Sequence, residues 1–358
     1  MDISSAPLLA DINVNGRAIK AVAQPTKQGI LYVFDRVTGK PVWPIEERPV
    51  EKGNAPGEWY SPTQPYPTKP PAYSRNGVSI SDLIDFTPAL HDEAMTLVAK
   101  YKIGPVFTPP SLSKVDGPLA TLTLGTASGG TNWPGGSYDP ETHMVYAYAC
   151  NACVTPIGVV PAPKEISDMD YVMGTAGREV RIARGPGENA GADSPIPART
   201  APAAGPAAGG AGFGGLNIQG LPLIKPPYGT ISAINLDSGE IVWQTPHGDT
   251  PDVIRNSPAL KGLNIPRTGQ SGYNVGTLIT KTLVIAGDGQ VTTTPQHPRG
   301  AMLRAYDKAT GKEAGAVWMP APQSGSPMTY MLNGKQYIVV AVSGGPYSGE
   351  YLAFTLPQ

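Results

Sequence analysis

A hairpin motif that occurs three times constrains the fold of this chain more than any other feature. Each copy contains an alternating strand, a turn of the form Asp/Asn-x-x-Thr/Ser-Gly and a return strand that leads to a tryptophan. The copies span residues 29–43, 230–243 and 303–318. Trp43 and Trp243 follow the turn glycine by four residues, whereas Trp318 follows it by seven. We interpret each copy as one hairpin of a repeated β-sheet.

The residue types of the motif explain why it repeats. Aliphatic residues at every second position cover one face of a half-buried strand. The Asp/Asn and Thr/Ser side chains hydrogen-bond the turn backbone, and glycine adopts the positive φ angle that the turn needs. Tryptophan offers a large apolar surface on which one sheet can dock onto the next. Because such a hairpin cannot bury its faces alone, the copies must stack, as they do radially in a β-propeller.

Composition and further strand candidates support an all-β fold. The chain has 43 glycines and 40 prolines but only 15% charged residues, which favours short strands joined by many loops. Alternating or apolar runs outside the repeat predict additional strands at residues 18–24, 144–149, 277–286, 336–343 and 351–355. Together these make roughly four blades of four strands, half of a large propeller. A β-sandwich would not explain the repeated turn.

Two stretches fall outside the repeat. Residues 51–118 are proline-rich and contain one predicted helix near Ser81–Lys100, with Ser81 or Asp82 as its cap. The apolar side of this helix would comprise Leu83, Phe86, Leu90, Met95 and Leu97. Residues 155–227 contain Ala/Gly/Pro low complexity, densest over residues 185–220, which predicts a disordered surface loop. The whole chain, residues 1–358, is otherwise predicted to be part of a single propeller.

Charge and standard motifs exclude several classes of function. The net charge is −1 with no basic cluster, so no nucleic-acid partner is expected. The apolar runs are too short to cross a bilayer. Residues 210–215 match the dinucleotide pattern G-x-G-x-x-G, but they lie in low-complexity sequence without a flanking strand or helix, so we reject the match. The first residues contain no signal peptide, which indicates a cytoplasmic protein unless the start has been lost.

The two cysteines, Cys150 and Cys153, have C-x-x-C spacing. Val154 follows them where a c-type haem site needs histidine, and one pair cannot complete a four-ligand zinc site. The four histidines are scattered along the chain. Two interpretations stay open: a local disulfide or two buried thiols.

Several further segments resemble one enzyme family. Residues 23–29 run directly into the first hairpin, whose turn reads Asp-Arg-x-Thr-Gly-Lys-Pro-Val. The other matching segments are residues 129–133 with 139–140, 225–229, 248–252, and 326–330 with 334–337. In this order they are similar to the dehydrogenases that depend on pyrroloquinoline quinone (PQQ), closest to the membrane glucose dehydrogenase branch. The resemblance covers essentially the whole chain. It implies an eight-bladed quinoprotein propeller that holds PQQ near its axis, and this chain would supply roughly the last four blades.

The resemblance also implies roles for three residues. Lys27 would lie beside the reactive quinone oxygens and stabilise the negative charge that develops when the carbonyl is reduced. Asn132 and Trp133 match the pair that contacts PQQ in the family. The alternatives are a solvated lysine on a turn, and a turn asparagine next to a tryptophan that docks one blade onto another. Three tryptophans are interpreted as structural and three carboxylates as turn or loop residues: Trp43, Trp243 and Trp318, and Asp249, Asp252 and Asp288.

The chain departs from the family pattern at its start. Met1 and Asp2 align with the end of the W-D-x-D segment that carries the family's catalytic aspartate, so the general base would precede Met1. The Ca²⁺ ligands, the signal peptide and the first blades would lie upstream as well. The resemblance therefore implies a periplasmic enzyme of which this chain is a part, with no metal ligands of its own. Its partner would be the missing N-terminal half, or a second copy of the chain.

Two functions follow as hypotheses. The first is the C-terminal portion of a PQQ-dependent sugar or alcohol dehydrogenase, inactive on its own because the base and the metal ligands are absent. The second is a PQQ-repeat propeller that acts as a non-catalytic protein-binding scaffold. The repeated hairpin fits both equally well. Lys27 and the Asn132–Trp133 pair distinguish them, because a scaffold has no use for a cofactor site.

Overall fold

Four antiparallel sheets, numbered sheets 1 to 4 along the chain, dominate the fold. The computed structural model describes residues 3–125, 129–165, 167–177, 216–344 and 347–355. Sheet 1 contains Leu8–Val14, Arg17–Pro25 and Leu31–Asp35; sheet 2 contains Gly136–Asp139, Met144–Cys150, Gly229–Asn235 and Glu240–Pro246. Sheet 3 contains Leu278–Ile279, Leu283–Gly287, Ala301–Asp307 and Glu313–Met319; sheet 4 contains Met328–Leu332, Lys335–Gly344 and Tyr347–Thr355.

The sheets follow one another as the blades of a propeller do. The first strand of sheet 2, Gly136–Asp139, lies between the first strands of sheets 1 and 3. Apolar clusters fill the space between successive sheets. Ala10, Ile12, Val33, Val145 and Ile234 lie between sheets 1 and 2; Tyr146, Ile231, Val284 and Tyr306 between sheets 2 and 3; Leu303, Met319, Val340 and Val342 between sheets 3 and 4. The all-β class and the partial propeller predicted from the repeat are therefore confirmed.

Two tryptophans of the repeat join neighbouring sheets. The ring of Trp43 covers Gly239, where an added Cβ would lie 3.0 Å from it. The ring of Trp243 covers Gly311 in the same way, at 2.6 Å, and its Nε1 donates to the carbonyl of Lys308 at 3.1 Å. The return strand of one copy thus docks on the turn glycine of the next. Trp318 differs, because its ring stacks on His297 with centroids 4.2 Å apart.

The proline-rich insertion contains the predicted helix, but the helix begins later than predicted. It spans Pro88–Val98, and the Oγ1 of Thr87 accepts from the backbone N–H of Leu90. Ser81 and Asp82, the predicted caps, belong instead to a separate 3₁₀ turn, Ile80–Asp82. The reason is Pro88, which favours the first helical position and keeps the preceding residue extended.

One face of this helix contributes to a core that is separate from the clusters between the four sheets. Its buried residues, Leu90, Ala94 and Val98, pack with Leu83 and Ile218, whereas Met95 is exposed. Of the predicted apolar side, Leu83 is buried but lies before the helix. Two short antiparallel strand pairs accompany the insertion: Ile45–Pro49 pairs with Thr63–Pro67, and Gly77–Val78 pairs with Gly104–Pro105 across the helix segment.

The remaining elements lie between sheets 1 and 2, between the second and third strands of sheet 2, and after sheet 2. A small mixed sheet contains Ser111–Leu112, Thr121–Thr123, Thr155–Pro161 and Tyr171–Met173; Asn217–Ile218 pairs with Leu221–Pro222; and a short helix spans Asp252–Arg255, followed by a 3₁₀ turn at Pro258–Leu260. Most of the predicted loop at residues 185–220 lies outside the described residues. None of the helices in the part of the chain that the structure describes is long and apolar enough to cross a membrane.

Candidate functional site

Lys27 lies on a tight turn that connects two strands of sheet 1. The strand Arg17–Pro25 ends just before it, and the N–H of Gly29 closes the turn by donating to the carbonyl of Thr26 at 3.0 Å. The Thr26 hydroxyl donates to the carbonyl of Ile30 at 2.8 Å. Lys27 is only 8% exposed. Its burial argues against the alternative of a solvated lysine on a turn.

The segment Gly129–Thr131 packs directly against this turn. A Cβ on Gly130 would lie 2.0 Å from the carbonyl oxygen of Lys27, and Gly130 has a φ of +59°. The N–H of Thr131 donates to the carbonyl of Thr26 at 3.2 Å. Only glycine permits such a close approach of two backbones. The two segments that the family resemblance singled out, around Lys27 and before Asn132, are therefore in contact.

Asn132 and Trp133 follow at the edge of this contact. The Oδ1 of Asn132 accepts from the Ser4 hydroxyl and from the N–H of Trp133, both at 3.0 Å. Its Nδ2 has no hydrogen-bond acceptor among the described residues. Trp133 is 75% exposed, so it does not dock one sheet onto another. Asn132 shapes its turn as the alternative proposed, and it keeps an amide donor available for a ligand.

Cys150 and Cys153 form a disulfide next to the same segment. Both residues are buried. The N–H of Cys150 donates to the carbonyl of Gly130 at 3.0 Å, and the N–H of Gly130 donates back at 3.3 Å. Of the two interpretations left open by the sequence, the structure has the disulfide. Gly130, which pairs with Cys150, also contacts Lys27, so this one glycine links the disulfide to the Lys27 turn.

His247 is a buried residue whose role sequence reasoning missed. Its Nε2 donates to the carbonyl of Gly287 at 2.9 Å, so its Nδ1 accepts from the Tyr306 hydroxyl at 2.8 Å. The side chain is fully buried between sheets 2 and 3, and burial lowers the pKa of its imidazole to about 3. His247 is therefore a neutral hydrogen-bonded link between two sheets. No local pattern distinguishes it from the other scattered histidines.

Arg304 is the centre of an ion-pair network in sheet 3. Its guanidinium contacts Asp288 at 2.6 Å, Asp249 at 2.7 Å and Glu313 at 3.1 Å. Burial alone would lower the pKa of Arg304, but these carboxylates outweigh it and raise the pKa above its ordinary value. Asp288 follows the strand Leu283–Gly287 in a loop, as the sequence interpretation had it, and it is fully buried. Asp249 belongs to the same network.

Asp252 does not lie in a loop, because it is the first residue of the short helix Asp252–Arg255. Its Oδ2 accepts from the backbone N–H of Thr293 at 2.8 Å and from the Thr293 hydroxyl at 2.9 Å. Within the described ranges, histidine, cysteine, aspartate and glutamate do not form a group of three or more that could hold a metal ion.

The blade-like sheets, and the contact between the Lys27 turn and Gly129–Thr131, agree with the family that the sequence matches. The family described as "PQQ: Glucose/ethanol/alcohol dehydrogenase, beta-propeller domain" matches residues 1–338. The chain therefore belongs to the family of PQQ-dependent dehydrogenase β-propellers.

Individual relatives are more distant. The chain is 31% identical to a probable quinate dehydrogenase (quinone) of Xanthomonas campestris pv. juglandis, over all of this chain and 42% of that protein. It is 28% identical to the quinoprotein glucose dehydrogenase of Escherichia coli and to the glycerol dehydrogenase large subunit of Gluconobacter thailandicus, covering 41% and 46% of their lengths. The chain thus spans less than half the length of these relatives.

Among solved structures, the quinohemoprotein alcohol dehydrogenase from Comamonas testosteroni overlaps 98% of this chain and 37% of its own. The TM-score is 0.45 and the sequence identity is 20%.

Proposed function

We propose that this chain is the C-terminal portion of a PQQ-dependent dehydrogenase that oxidises a sugar or an alcohol. The observation that carries the proposal is the contact between the buried Lys27 turn and Gly129–Thr131, which brings the Asn132–Trp133 pair to the same place. A protein-binding scaffold would have no need for a buried lysine at the place where these two backbone segments meet.

The residues present fit PQQ, a planar quinone with three carboxylates. Lys27 supplies a cation in a site of low exposure, where its field is weakly screened. The Oδ1 of Asn132 is bonded within its own surroundings, whereas its amide N–H group has no acceptor within the described ranges and could donate to a cofactor oxygen. Trp133 presents an exposed indole that can pack against a flat ring. These three residues would form one wall of the cofactor site.

The chemistry that PQQ supplies when bound is the two-electron acceptance of a hydride. Lys27 would stabilise the negative charge that develops on the quinone oxygens, and Asn132 would fix the orientation of the ring. None of these three residues is a carboxylate or an imidazole, the usual general bases. We therefore propose that the base that takes the substrate's hydroxyl proton, and the ligands of a Ca²⁺ ion, come from additional polypeptide.

The direct test is binding of PQQ to the isolated chain. We expect PQQ to quench the tryptophan fluorescence saturably. Its affinity should be at least tenfold weaker in Lys27→Ala. Lys40→Ala is the matched control, because Lys40 lies exposed on the repeat turn of the same sheet. Equal affinity in both variants, or no binding to the wild-type chain, would contradict the proposed site.

Activity tests the second part of the proposal. With PQQ and Ca²⁺ present, the isolated chain should not turn over glucose or simple alcohols in a dye-linked assay. Addition of a polypeptide that corresponds to the N-terminal half of a relative should restore turnover. Robust oxidation by the isolated chain would show that it contains its own base.

The outer face of sheet 4 supports this view of an additional half. Antiparallel pairing places Met328 opposite Val339 and Tyr330 opposite Tyr337, so these residues share one face. Met328 and Tyr330 are 52% and 39% exposed. The other face of sheet 4 packs on sheet 3. We propose that this exposed apolar face binds the polypeptide that completes the propeller.

A periplasmic location belongs to the same proposal. It follows the family resemblance, and the buried disulfide Cys150–Cys153 supports it, because disulfides persist in oxidising compartments. Cell fractionation should recover the protein with periplasmic markers, and its cysteines should resist alkylation until they are reduced. Recovery with cytosolic markers would contradict this assignment.

A further inference from the structure

We infer that the disulfide loop Cys150–Cys153 positions Lys27, and that Asn151 within this loop is a positioning residue for the proposed PQQ site. The inference rests on the proposed function as far as PQQ is concerned. The positioning itself follows from two contacts with the Lys27 turn, one made by Gly130 and one made by Ser74.

The first contact links Cys150 to Lys27 through the backbone of Gly130. Cys150 and Gly130 exchange two backbone hydrogen bonds, at 3.0 and 3.3 Å. Gly130 in turn lies so close to Lys27 that a Cβ would meet its carbonyl oxygen at 2.0 Å. A displacement of Cys150 would therefore pass directly to the backbone of Lys27.

The second contact links Asn151 to the Lys27 turn through Ser74. The side chain of Asn151 is 3% exposed. Its Oδ1 accepts from the Ser74 hydroxyl at 2.8 Å and from the N–H of Arg75 at 3.2 Å. Ser74 lies against Gly29, the last residue of the Lys27 turn, where a Cβ would meet that of Ser74 at 2.3 Å. Asn151 thus holds the segment that packs against Gly29 of this turn.

The loop is itself anchored in sheet 2. The Nδ2 of Asn151 donates to the Thr230 hydroxyl at 3.0 Å, and its N–H donates to the carbonyl of Tyr228 at 2.9 Å. Every polar group of the Asn151 side chain is therefore satisfied by a fixed partner. A buried amide bonded in this way tolerates little movement, because any lost bond leaves a desolvated polar group.

The disulfide completes the clamp. It closes the loop covalently at Cys153, directly after Asn151 and Ala152, so the loop cannot open while sheet 2 stays folded. Four residues thereby connect the rigid end of the strand Met144–Cys150 to both supports of Lys27. Such support is what holds a charged side chain within the tolerance that a cofactor site requires.

The test compares three variants. They are Asn151→Ala, the double substitution Cys150→Ser with Cys153→Ser, and Asn54→Ala as the control. Asn54 also accepts a backbone N–H through its Oδ1, from Leu112 at 2.7 Å, but it is exposed and this bond supports the strand Ser111–Leu112. We expect PQQ affinity to fall at least tenfold in the first two variants and to stay unchanged in the control, under conditions where all three are folded by circular dichroism.

A double-mutant cycle separates positioning from a general loss of structure. If Asn151 acts through Lys27, Asn151→Ala should weaken PQQ binding little further when Lys27→Ala is already present. Fully additive effects would overturn the inference.

A second readout does not require PQQ. Acylation of Lys27 by an amine-reactive ester, followed by peptide mass spectrometry, should be slow in the wild type and at least several-fold faster in Asn151→Ala and in the phosphine-reduced wild-type chain. If the wild type does not bind PQQ, the proposed function fails, yet this labelling still decides the positioning. Unchanged labelling of Lys27 in both samples would overturn the inference.

Discussion

At the scale of single residues, burial sets the chemistry of His247. The imidazole lies fully buried between two sheets, bonded to Gly287 and Tyr306, and this burial disfavours its protonated form. Protonation would also turn Nδ1 into a donor facing the Tyr306 hydroxyl, which would have to rotate. The neutral form is thus required for the observed hydrogen bonds between sheets 2 and 3.

This requirement makes stability depend on pH. Because the pKa of His247 is about 3 in the folded chain and about 6.5 in an unfolded one, the unfolded state binds more protons below pH 6.5. The free energy of unfolding should therefore fall by up to about 1.4 kcal/mol for each pH unit below 6.5 through this group. Urea unfolding between pH 4.5 and 7 measures the slope.

His247→Gln should flatten that slope, since glutamine does not titrate. His91→Gln is the control, because His91 is only partly buried and lies on the helix Pro88–Val98. The prediction is wrong if wild type and His247→Gln lose stability in parallel as the pH falls.

At the scale of elements, the repeated turn uses one hydrogen-bond scheme with two residue types. The Oδ1 of Asp307 accepts from the N–H and the hydroxyl of Thr310, at 2.8 and 2.7 Å. In the second copy, the Oδ1 of Asn235 accepts from the N–H groups of Asp237 and Ser238, at 2.8 and 2.9 Å. The turn therefore needs an acceptor at this position and does not need a charge.

Asp307→Asn should consequently keep the urea midpoint near that of the wild type at pH 7, whereas Asp307→Ala should lower it. The Thr310 side chain and backbone lower the pKa of Asp307 below its ordinary value. The stabilisation from its ionised form is therefore present above about pH 4 and lost as the pH falls through the lowered pKa. Asp307→Asn should remove this pH dependence of the free energy of unfolding, because asparagine does not titrate. An equal loss of stability in both variants at pH 7 would contradict the scheme.

The turn glycines have a second role that differs between copies. Gly39, Gly239 and Gly311 have nearly the same φ, 72°, 69° and 69°. A Cβ on Gly39 would meet nothing within 4 Å, whereas a Cβ on Gly311 would lie 2.6 Å from the ring of Trp243. The series separates the backbone requirement from the docking of sheets.

Gly39→Ala should cost about 1–2 kcal/mol, the strain of a left-handed alanine. Gly311→Ala should cost about 1–3 kcal/mol more, because the methyl group displaces the Trp243 ring. Urea unfolding of the two variants measures the difference. Equal losses of stability would show that Trp243 does not dock tightly on the turn.

At the scale of the whole molecule, sheet 4 is the last of the stacked sheets among the residues that the structure describes. Its outer face carries Tyr351, which is 80% exposed and lies opposite Ala341 on the central strand. Exposed apolar faces of this kind mark interaction surfaces. The known relatives are more than twice as long as this chain, which supports a further part of the propeller as the occupant.

Tyr351→Glu should therefore weaken binding of an added N-terminal half at least tenfold, because a carboxylate would be buried without a partner. Trp59→Glu is the control, since Trp59 is 81% exposed on the proline-rich insertion. Neither substitution should change the thermal midpoint of the isolated chain by much. Sedimentation velocity decides the outcome: a chain that forms dimers through this face, lost in Tyr351→Glu, would favour a second copy as the occupant.

Sequence reasoning predicted what depends on neighbours along the chain. The turn of Asp35 and Gly39, the alternating strands and the docking of Trp43 and Trp243 follow from residue types within one hairpin. The Lys27 segment could be singled out by its family resemblance because its motif is contiguous. The helix was found but misplaced at its start, where the restriction imposed by Pro88 outweighed the capping ability of Ser81.

Tertiary structure alone decided the contacts between distant segments. Asp249, Asp288 and Glu313 meet at Arg304, and Gly130 meets both Lys27 and Cys150, because the sheets stack and bring separate loops together. His247 shows the same limit: its environment consists of residues 40 and 59 positions away. Local hydrogen bonds and side-chain alternation are encoded within a few residues, whereas burial and ion pairing depend on which surfaces the packed sheets enclose.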